Sequence, residues 1–398
     1  MRIAIAVMAL LLGVRAVMSQ EVDQQRELLD AIRLYNGKVY QAANKPGKPI
    51  LDVRFHEDVF DDEAMRRIAP LLVHAKSLQR LSLDGSKITD QGLAYLAAVK
   101  QVQNIDLGRS AITDAGLQHL AEIKNLRSLS LHETKLNGSG LLHLARLPKL
   151  AFLDLSHTNI DDASLEAIKQ LKQLEDLLLS DTQITTVGLK QLTGLQLERL
   201  SMPRKLKTDD GLQHYLAAIA PPQKMTVRYW KITDVGLSHL ATQTQLRELT
   251  IGNCDITDDG LEQLAGLKQL QRLNLFFCKI DGSGLKHLGG AKQLRTLWLA
   301  GTAINDAAME HVARFKKVDV LNLNDATITD TGLERLTSLR QLQRISFNSP
   351  AITDAGLMQL AKISSLQSLE VGSKNQRITG QGVAEFCKML PKCEVIRR

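Results

Sequence analysis

A carboxylate recurs at a fixed spacing along this chain of 398 residues. It lies in "ITDQGL" from Ile88, "ITDAGL" from Ile112, "ITDDGL" from Ile256, "ITDTGL" from Ile328 and "ITDAGL" from Ile352. Asp90, Asp114, Asp258, Asp330 and Asp354 thus form a row, and a row of carboxylates could hold a calcium ladder. Calcium needs about six to eight oxygens converging on one point, however, and one carboxylate per segment does not supply them. Helix capping accounts for the motif instead. Thr113 at the N-cap is expected to accept from the Gly116 amide three residues on, with Ile112 and Leu117 as a hydrophobic staple. Asp114 then sits favourably beside the helix dipole, and Asn137, Asp161 and Asp281 take the cap position elsewhere. Gly116 has no Cβ, so a neighbouring segment is expected to approach it closely.

Other chemistry is weaker. Asp106 and Asp154 project from strands two apart, which at ~4.8 Å per strand separates them by about 9.6 Å. That approaches the spacing of an inverting glycosidase pair, but an open, solvated sheet does not raise an acid's pKa. There is no nucleophile elbow, phosphate loop or zinc motif. No enzyme activity, catalytic residue, metal or cofactor is therefore expected. His119, His143, His214, His239, His287 and His311 share one helical position, which Tyr95, Gln191, Gln263, Arg335 and Gln359 fill in other segments. That substitution pattern marks a solvated helix flank. Cys254 and Cys278, one period apart, read as buried thiols, while Cys387 and Cys393 flank the last helix-to-strand corner. An oxidising compartment would allow a bridge between these two, and two free thiols are the alternative.

The aromatic residues are more informative, because they make up only 4% of the chain. Tyr229, Phe276, Phe277 and Trp298 fall at outward strand positions or the adjoining loop, where other segments mostly carry Ser, Asp, Asn, Gly or Thr. Arg199, Arg204, Lys205, Lys224, Arg228 and Lys231 lie beside them in sequence. The group reads either as an interaction surface or as rings packed on one another to repair an irregular stretch.

These residues are positioned by a repeat. Units begin at Ile88, Ile112, Leu136, Ile160, Ile184, Ile232, Ile256, Ile280, Ile304, Ile328, Ile352 and Ile378, nearly always 24 residues apart. A degenerate unit opens at Phe60, and the period slips near Lys207. In Leu126 to Thr134, Leu129 and Leu131 alternate with Ser128, Ser130 and His132, the pattern of a strand with one buried face. Leu117, Leu120 and Ala121 form the inner stripe of a helix. One strand and one helix cannot bury their apolar faces alone, but stacked copies can. The expected α/β fold is a curved solenoid, with parallel strands on the concave face and α-helices on the convex face.

The consensus L-x-x-L-x-L-x-x-T-x-I-T-D-x-G-L-x-x-L-A resembles leucine-rich repeats over about residues 50–398. It is similar to the cysteine-containing, F-box-type (ribonuclease-inhibitor-like) subfamily and to exported planctomycete-type arrays. Cys254 and Cys278 take the position that Thr134, Thr158, Thr182 and Thr302 fill elsewhere. The resemblance implies a horseshoe that serves as a binding scaffold, and the subfamily suggests an F-box-like ubiquitin-ligase adaptor.

Composition bounds the rest. An apolar fraction of 44% and a charged fraction of 23% exclude a disordered chain or a polytopic membrane protein. Arg2, the apolar run Ile3 to Val14 and the small residues Val17 and Ser19 read as an export leader cleaved before Gln20. The net charge of +7, two of it from Arg2 and Arg15, is too mild to argue for nucleic acid. The expected organisation is leader 1–19, N-terminal helical cap 20–49, repeat array 50–377 and C-terminal cap 378–398. The expected function is an exported, monomeric scaffold with no transmembrane helix in the mature chain. Its concave face takes an acidic protein partner through Tyr229, Phe276, Phe277 and Trp298, with Arg204, Arg228 and Arg272 selecting charge. An anionic polysaccharide is the alternative ligand.

Overall fold

The computed structural model describes residues 23–45, 47–55 and 59–398; the expected leader Met1–Ser19 lies outside them. The chain divides into two compact units, one running to Leu206 with Ala217–Ala220, the other Lys207–Leu216 with Pro221–Arg398.

The first unit opens with a helix over residues 23–34 and a strand, Lys38–Gln41, that pairs antiparallel with Ile50–Arg54. The cap is therefore a helix plus a hairpin, where a helix and turn alone were expected. From Ile50–Arg54 the sheet continues in parallel through Arg80–Ser82, Asn104–Asp106, Ser128–Ser130, Phe152–Asp154, Asp176–Leu178 and Arg199–Ser201. Val53, Leu81, Ile105, Leu129, Leu153, Leu177 and Leu200 stand side by side in register, all buried. A one-residue slip would turn this whole row to solvent, so the hydrophobic pattern fixes the pairing.

The second unit repeats the scheme with eight strands, Lys224–Arg228, Glu248–Gly252, Arg272–Phe276, Thr296–Trp298, Val320–Leu323, Arg344–Phe347, Ser368–Val371 and Glu394–Arg397. Its inner row runs Met225, Leu249, Leu273, Leu297, Leu321, Ile345 and Leu369. Helical segments return the chain between strands, but they are shorter and more varied than the expected α-helices. Leu117–Leu120 is one α-turn after the 3-10 turn Asp114–Gly116, and Leu141–Arg146, Asp259–Leu264 and Ser283–Gly290 are 3-10 throughout. So short a segment leaves room for little more than one turn, where the tighter 3-10 form is common.

The recurring Thr-Asp-x-Gly differs from a local cap. Thr113 makes no side-chain bond to its own helix start. Its hydroxyl donates to Asp90 Oδ2 at 2.6 Å, and its amide donates to Asp90 Oδ1 at 2.8 Å, both in the preceding repeat. The same two-pronged contact joins Asp62 to Thr89, Asp162 to Thr185, Asp209 to Thr233, Asp234 to Thr257, Asp306 to Thr329, Asp330 to Thr353 and Asp354 to Thr379. A carboxylate is a stronger acceptor than a hydroxyl, so it takes the threonine donors first. The threonine lone pair is left for a longer bond from the residue two on, as from Gln91 to Thr89 at 3.3 Å. Both oxygens of each of these carboxylates accept from the next repeat, so the row's shared duty is to join repeats.

The glycine belongs to the same contact. A Cβ on Gly116 would lie 2.3 Å from Asp90 Oδ1, and one on Gly92, Gly188, Gly236, Gly260, Gly332, Gly356 or Gly382 would stand 2.0–2.4 Å from the corresponding aspartate. Of three exceptions in the sequence two support the coupling, while Thr186 is followed by Gly211 across the slip in period. Where the aspartate position holds Gly138, the next repeat carries Ser164 instead of glycine; where it holds Gly282, the next carries Ala308. The Ser164 and Ala308 side chains fill the space a carboxylate would occupy, 1.9 and 2.5 Å from a Cβ built on Gly138 and Gly282.

The cysteines are four free thiols, so Cys387 and Cys393 are not bridged. Cys393 is buried at the corner and directs its Sγ to the Glu394 carbonyl at 3.8 Å, whereas Cys387 is only half-buried on the last helix, Gly380–Met389. Burial pushes the Cys393 thiol up to about 11 and Cys278 likewise to about 11, which disfavours the reactive thiolate. Cys254 and Cys278 point their sulfurs at the Gly252 and Phe276 carbonyls, 3.3 and 3.5 Å away. At the same position Thr134 and Thr158 donate their hydroxyls to the Leu131 and Leu155 carbonyls, three residues back rather than two.

This packing has two measurable consequences. Gly116→Val is expected to destabilise by about 2 kcal/mol or more, the scale of an overpacked core, while Ala115→Val, at an exposed position, changes little. Equal losses in urea denaturation would remove the close-approach account. Native alkylation at neutral pH is expected to label Cys387 first, with Cys254, Cys278 and Cys393 labelled after unfolding; a linked 387–393 peptide in non-reducing mass spectrometry would contradict it.

Candidate interaction site

The outward residues of each strand, and the turn residue just past its end, are where repeats differ. That turn residue adopts a left-handed conformation again and again: Gly85, Arg109, Glu133, His157 and Asp181 in the first unit, and Tyr229, Asn253, Phe277, Gly301 and Asp325 in the second. Glycine, asparagine and aspartate enter this region readily, whereas bulky residues are outliers there. Tyr229 at φ 57° and Phe277 at φ 50° are thus unusual occupants.

Neither ring is sheltered. Tyr229 is 70% exposed, Phe277 59% and Trp298 43%, and Phe276 is half-buried. Phe276 and Phe277 meet edge to face at 6.2 Å, while Tyr229 and Trp298 stack on no other ring among the described residues. The next residue, Trp230, turns inward and packs on Tyr215 at 5.7 Å, so the repair of the irregular stretch is made there. Small neighbours receive the rings: a Cβ on Gly252 would strike Phe276 at 2.2 Å, and one on Gly301 would strike Phe277 at 2.4 Å. Trp298 stands in register between Asn274 and Asn322. Asn274 donates to Thr250 at 3.0 Å and leaves its buried Oδ1 without a partner.

The cations around these rings differ in how far they are already neutralised. Lys224 pairs with Glu248 at 3.0 Å, Arg272 lies 3.9 Å from the same carboxylate, and Lys279 pairs with Asp255 at 2.8 Å. The Asp255 carboxylate raises the Lys279 pKa above its ordinary value, chiefly by hydrogen bonding. Arg228 has no carboxylate within ion-pair distance among the described residues. Its guanidinium lies 4.9 Å from the Phe276 centroid and 5.6 Å from that of Tyr229. Six of the seven expected site residues thus belong to the second unit. The seventh, Arg204, belongs to the first, in the exposed 3-10 turn Arg204–Leu206. Arg199, expected beside it, is occupied by Asp176 at 2.7 Å. Sequence reasoning missed Asn253, Gly252 and Gly301, the two glycines being where the phenylalanine rings lie; aligning the turn position across repeats would have exposed the contrast.

The remaining candidates make contacts within and between repeats. Asp106 and Asp154 flank Ser130 in register, and each accepts from the amide two residues on, Gly108 at 3.1 Å and Ser156 at 2.9 Å, closing the turn. Among the described residues, Asp84, Asp106 and His132 are the one group whose ligand atoms could surround a metal. The Arg109 guanidinium already forks onto Asp84, and Ser130 holds His132 Nδ1 at 2.8 Å. The helical histidines are half-buried at the helix flank. His311 has its pKa lowered first by burial and then by Arg314.

A family model described as a leucine-rich repeat matches residues 74–97, 146–169, 242–265 and 268–289. None of the curated protein sequences matches significantly. Among solved structures, an internalin of Listeria monocytogenes is similar at 22% identity and a TM-score of 0.46, over 85% of this chain and 89% of that one. A leucine-rich-repeat protein of Leptospira interrogans is similar at 18% identity and 0.49, over 87% and 88%. A plant peptide hormone receptor, in complex with RGF2, is similar at 12% identity and 0.45, over 87% and 62%. With 24-residue strand-and-helix units, parallel sheets and four matched repeats, the chain is a leucine-rich-repeat solenoid in its fold.

Proposed function

We propose that this chain is an exported, non-enzymatic scaffold that binds a protein partner on its strand-lined, concave face. The observation that carries the reading is the exposure of Tyr229, Phe277 and Trp298 at or just past the ends of three strands of one sheet in an aromatic-poor chain. Large rings held by a rigid sheet lose little entropy on binding and make the usual interface anchors. Arg228 and Arg272 supply the charge that steers an acidic surface to them. Export is supported by the leader-like Met1–Ser19, and among the described residues no helix is long and apolar enough to cross a membrane. Membership of the cysteine-containing subfamily rests on Cys254 and Cys278. An F-box-like adaptor role is the reading that membership of this subfamily would suggest.

Pull-down from the envelope fraction of the native cells tests the proposal. Trp298→Ala or Phe277→Ala is expected to weaken partner binding by ~2 kcal/mol or more with little change in melting temperature. Arg228→Ala is expected to act mainly on association rate and salt dependence. If both aromatic variants unfold the chain while folded molecules bind as before, the cluster is structural. Partner capture replaced by glycan-array binding would point to a polysaccharide instead.

A further inference from the structure

We propose that the edge of the second sheet, where the strands Lys224–Arg228, Glu248–Gly252 and Arg272–Phe276 end, is a clip for an acidic peptide segment. The segment places one apolar side chain between Tyr229 and Phe277, over Asn253, and an adjacent carboxylate on Arg228. This rests on the protein-binding reading above and specifies which part of the partner is recognised.

Backbone conformation is the first support. The left-handed turn position costs a bulky residue of the order of 1 kcal/mol or more, yet two repeats place an aromatic there and the repeat between them does not. Rings exposed to 70% and 59% recover little of that cost within the chain. Arg109, Glu133 and His157 take the same conformation in the first unit, so what distinguishes Tyr229 and Phe277 is a large ring held outward there at that cost.

Shape is the second. Tyr229 and Phe277 end strands two apart, so at ~4.8 Å per strand their backbones stand about 9.6 Å from each other. Asn253 lies between them and is the smallest of the three. Phe277 lies over Gly301 and is thereby drawn away from Asn253, while Phe276 covers Gly252. The half-buried Asn253 thus stands between two exposed rings whose strand spacing suits one side chain.

Charge selects the occupant. Arg228 is held against two rings, with Lys231 exposed three residues on, and only the more distant cations are neutralised by Glu248 and Asp255. A guanidinium fixed in advance binds a carboxylate with little ordering cost, and it repels a basic segment.

The test selects a displayed library of random peptides on the full chain, with counter-selection on Asn253→Tyr. Tyrosine already occupies this turn conformation at residue 229, so the variant fills the space between the rings at a backbone cost the fold already accepts there. Enriched peptides are expected to carry an apolar residue next to Asp or Glu. The best of them, as a labelled probe, is expected to bind at least tenfold more weakly to Asn253→Tyr, Tyr229→Asn and Phe277→Asn, and at least fivefold more weakly to Arg228→Gln. Tyr229→Asn and Phe277→Asn are also expected to keep or raise the melting temperature, because asparagine relieves the strain. Basic enriched peptides, no enrichment, equal binding to Asn253→Tyr, or heparin as the better ligand would each overturn the clip. Loss of partner capture in Trp298→Ala but not in Asn253→Tyr would overturn it while leaving the broader reading standing; capture unaffected by either would sink both.

Discussion

One contact recurs through both units: an aspartate in one repeat grips the backbone amide and hydroxyl of a threonine in the next. Charge-assisted hydrogen bonds are about twice as strong as neutral ones, and here two converge on one carboxylate that is partly shielded from water. The contact joins the helix starts of neighbouring repeats, in addition to the pairing of their strands. With the strand ladder and the carboxylate together, each repeat is fixed at two points. A rigid stack results from units too small to fold alone.

That arrangement separates stability from recognition. The apolar row, the aspartate, the threonine and the glycine recur in most repeats because they hold neighbouring repeats together. Where the aspartate is replaced at Gly138 and Gly282, the recipient glycine changes too, to Ser164 and Ala308, and in each case the following side chain takes the vacated space. The outward strand positions and the turn past the strand carry no such duty. Their variation, from Asp84 and His132 in the first unit to Tyr229, Phe277 and Trp298 in the second, is free to specify a ligand.

Much of this was legible in the sequence. The 24-residue period gave strand and helix positions, the alternation around Leu129 gave the buried face, and the bare glycine gave the close approach. The role of the aspartate was not legible, because its threonine is 23 residues away and a helix dipole explains the same residue locally. Likewise the pattern of apolar residues cannot distinguish a single α-turn from a 3-10 segment, nor does it show the Lys38–Gln41 hairpin. Exposure of the aromatics follows from alternation; the left-handed backbone beneath Tyr229 and Phe277 does not. Arg204 was grouped with them by sequence proximity, which says little across the slip in period.

The central claim is that aspartate and glycine are two halves of one contact, and a double-mutant cycle on Asp90 and Gly116 tests it most directly. Urea unfolding of Asp90→Gly, Gly116→Ser and the pair measures their coupling, the pair reproducing the combination that Gly138 and Ser164 form naturally. Each single change should destabilise, one by losing the bonds to Thr113 and the other by a clash at 2.3 Å. The pair should be more stable than the sum of the singles implies by about 1 kcal/mol or more, within the range for residues in contact. Additive losses would mean that the carboxylate and the missing Cβ are independent, and the account of the repeat would fail with them.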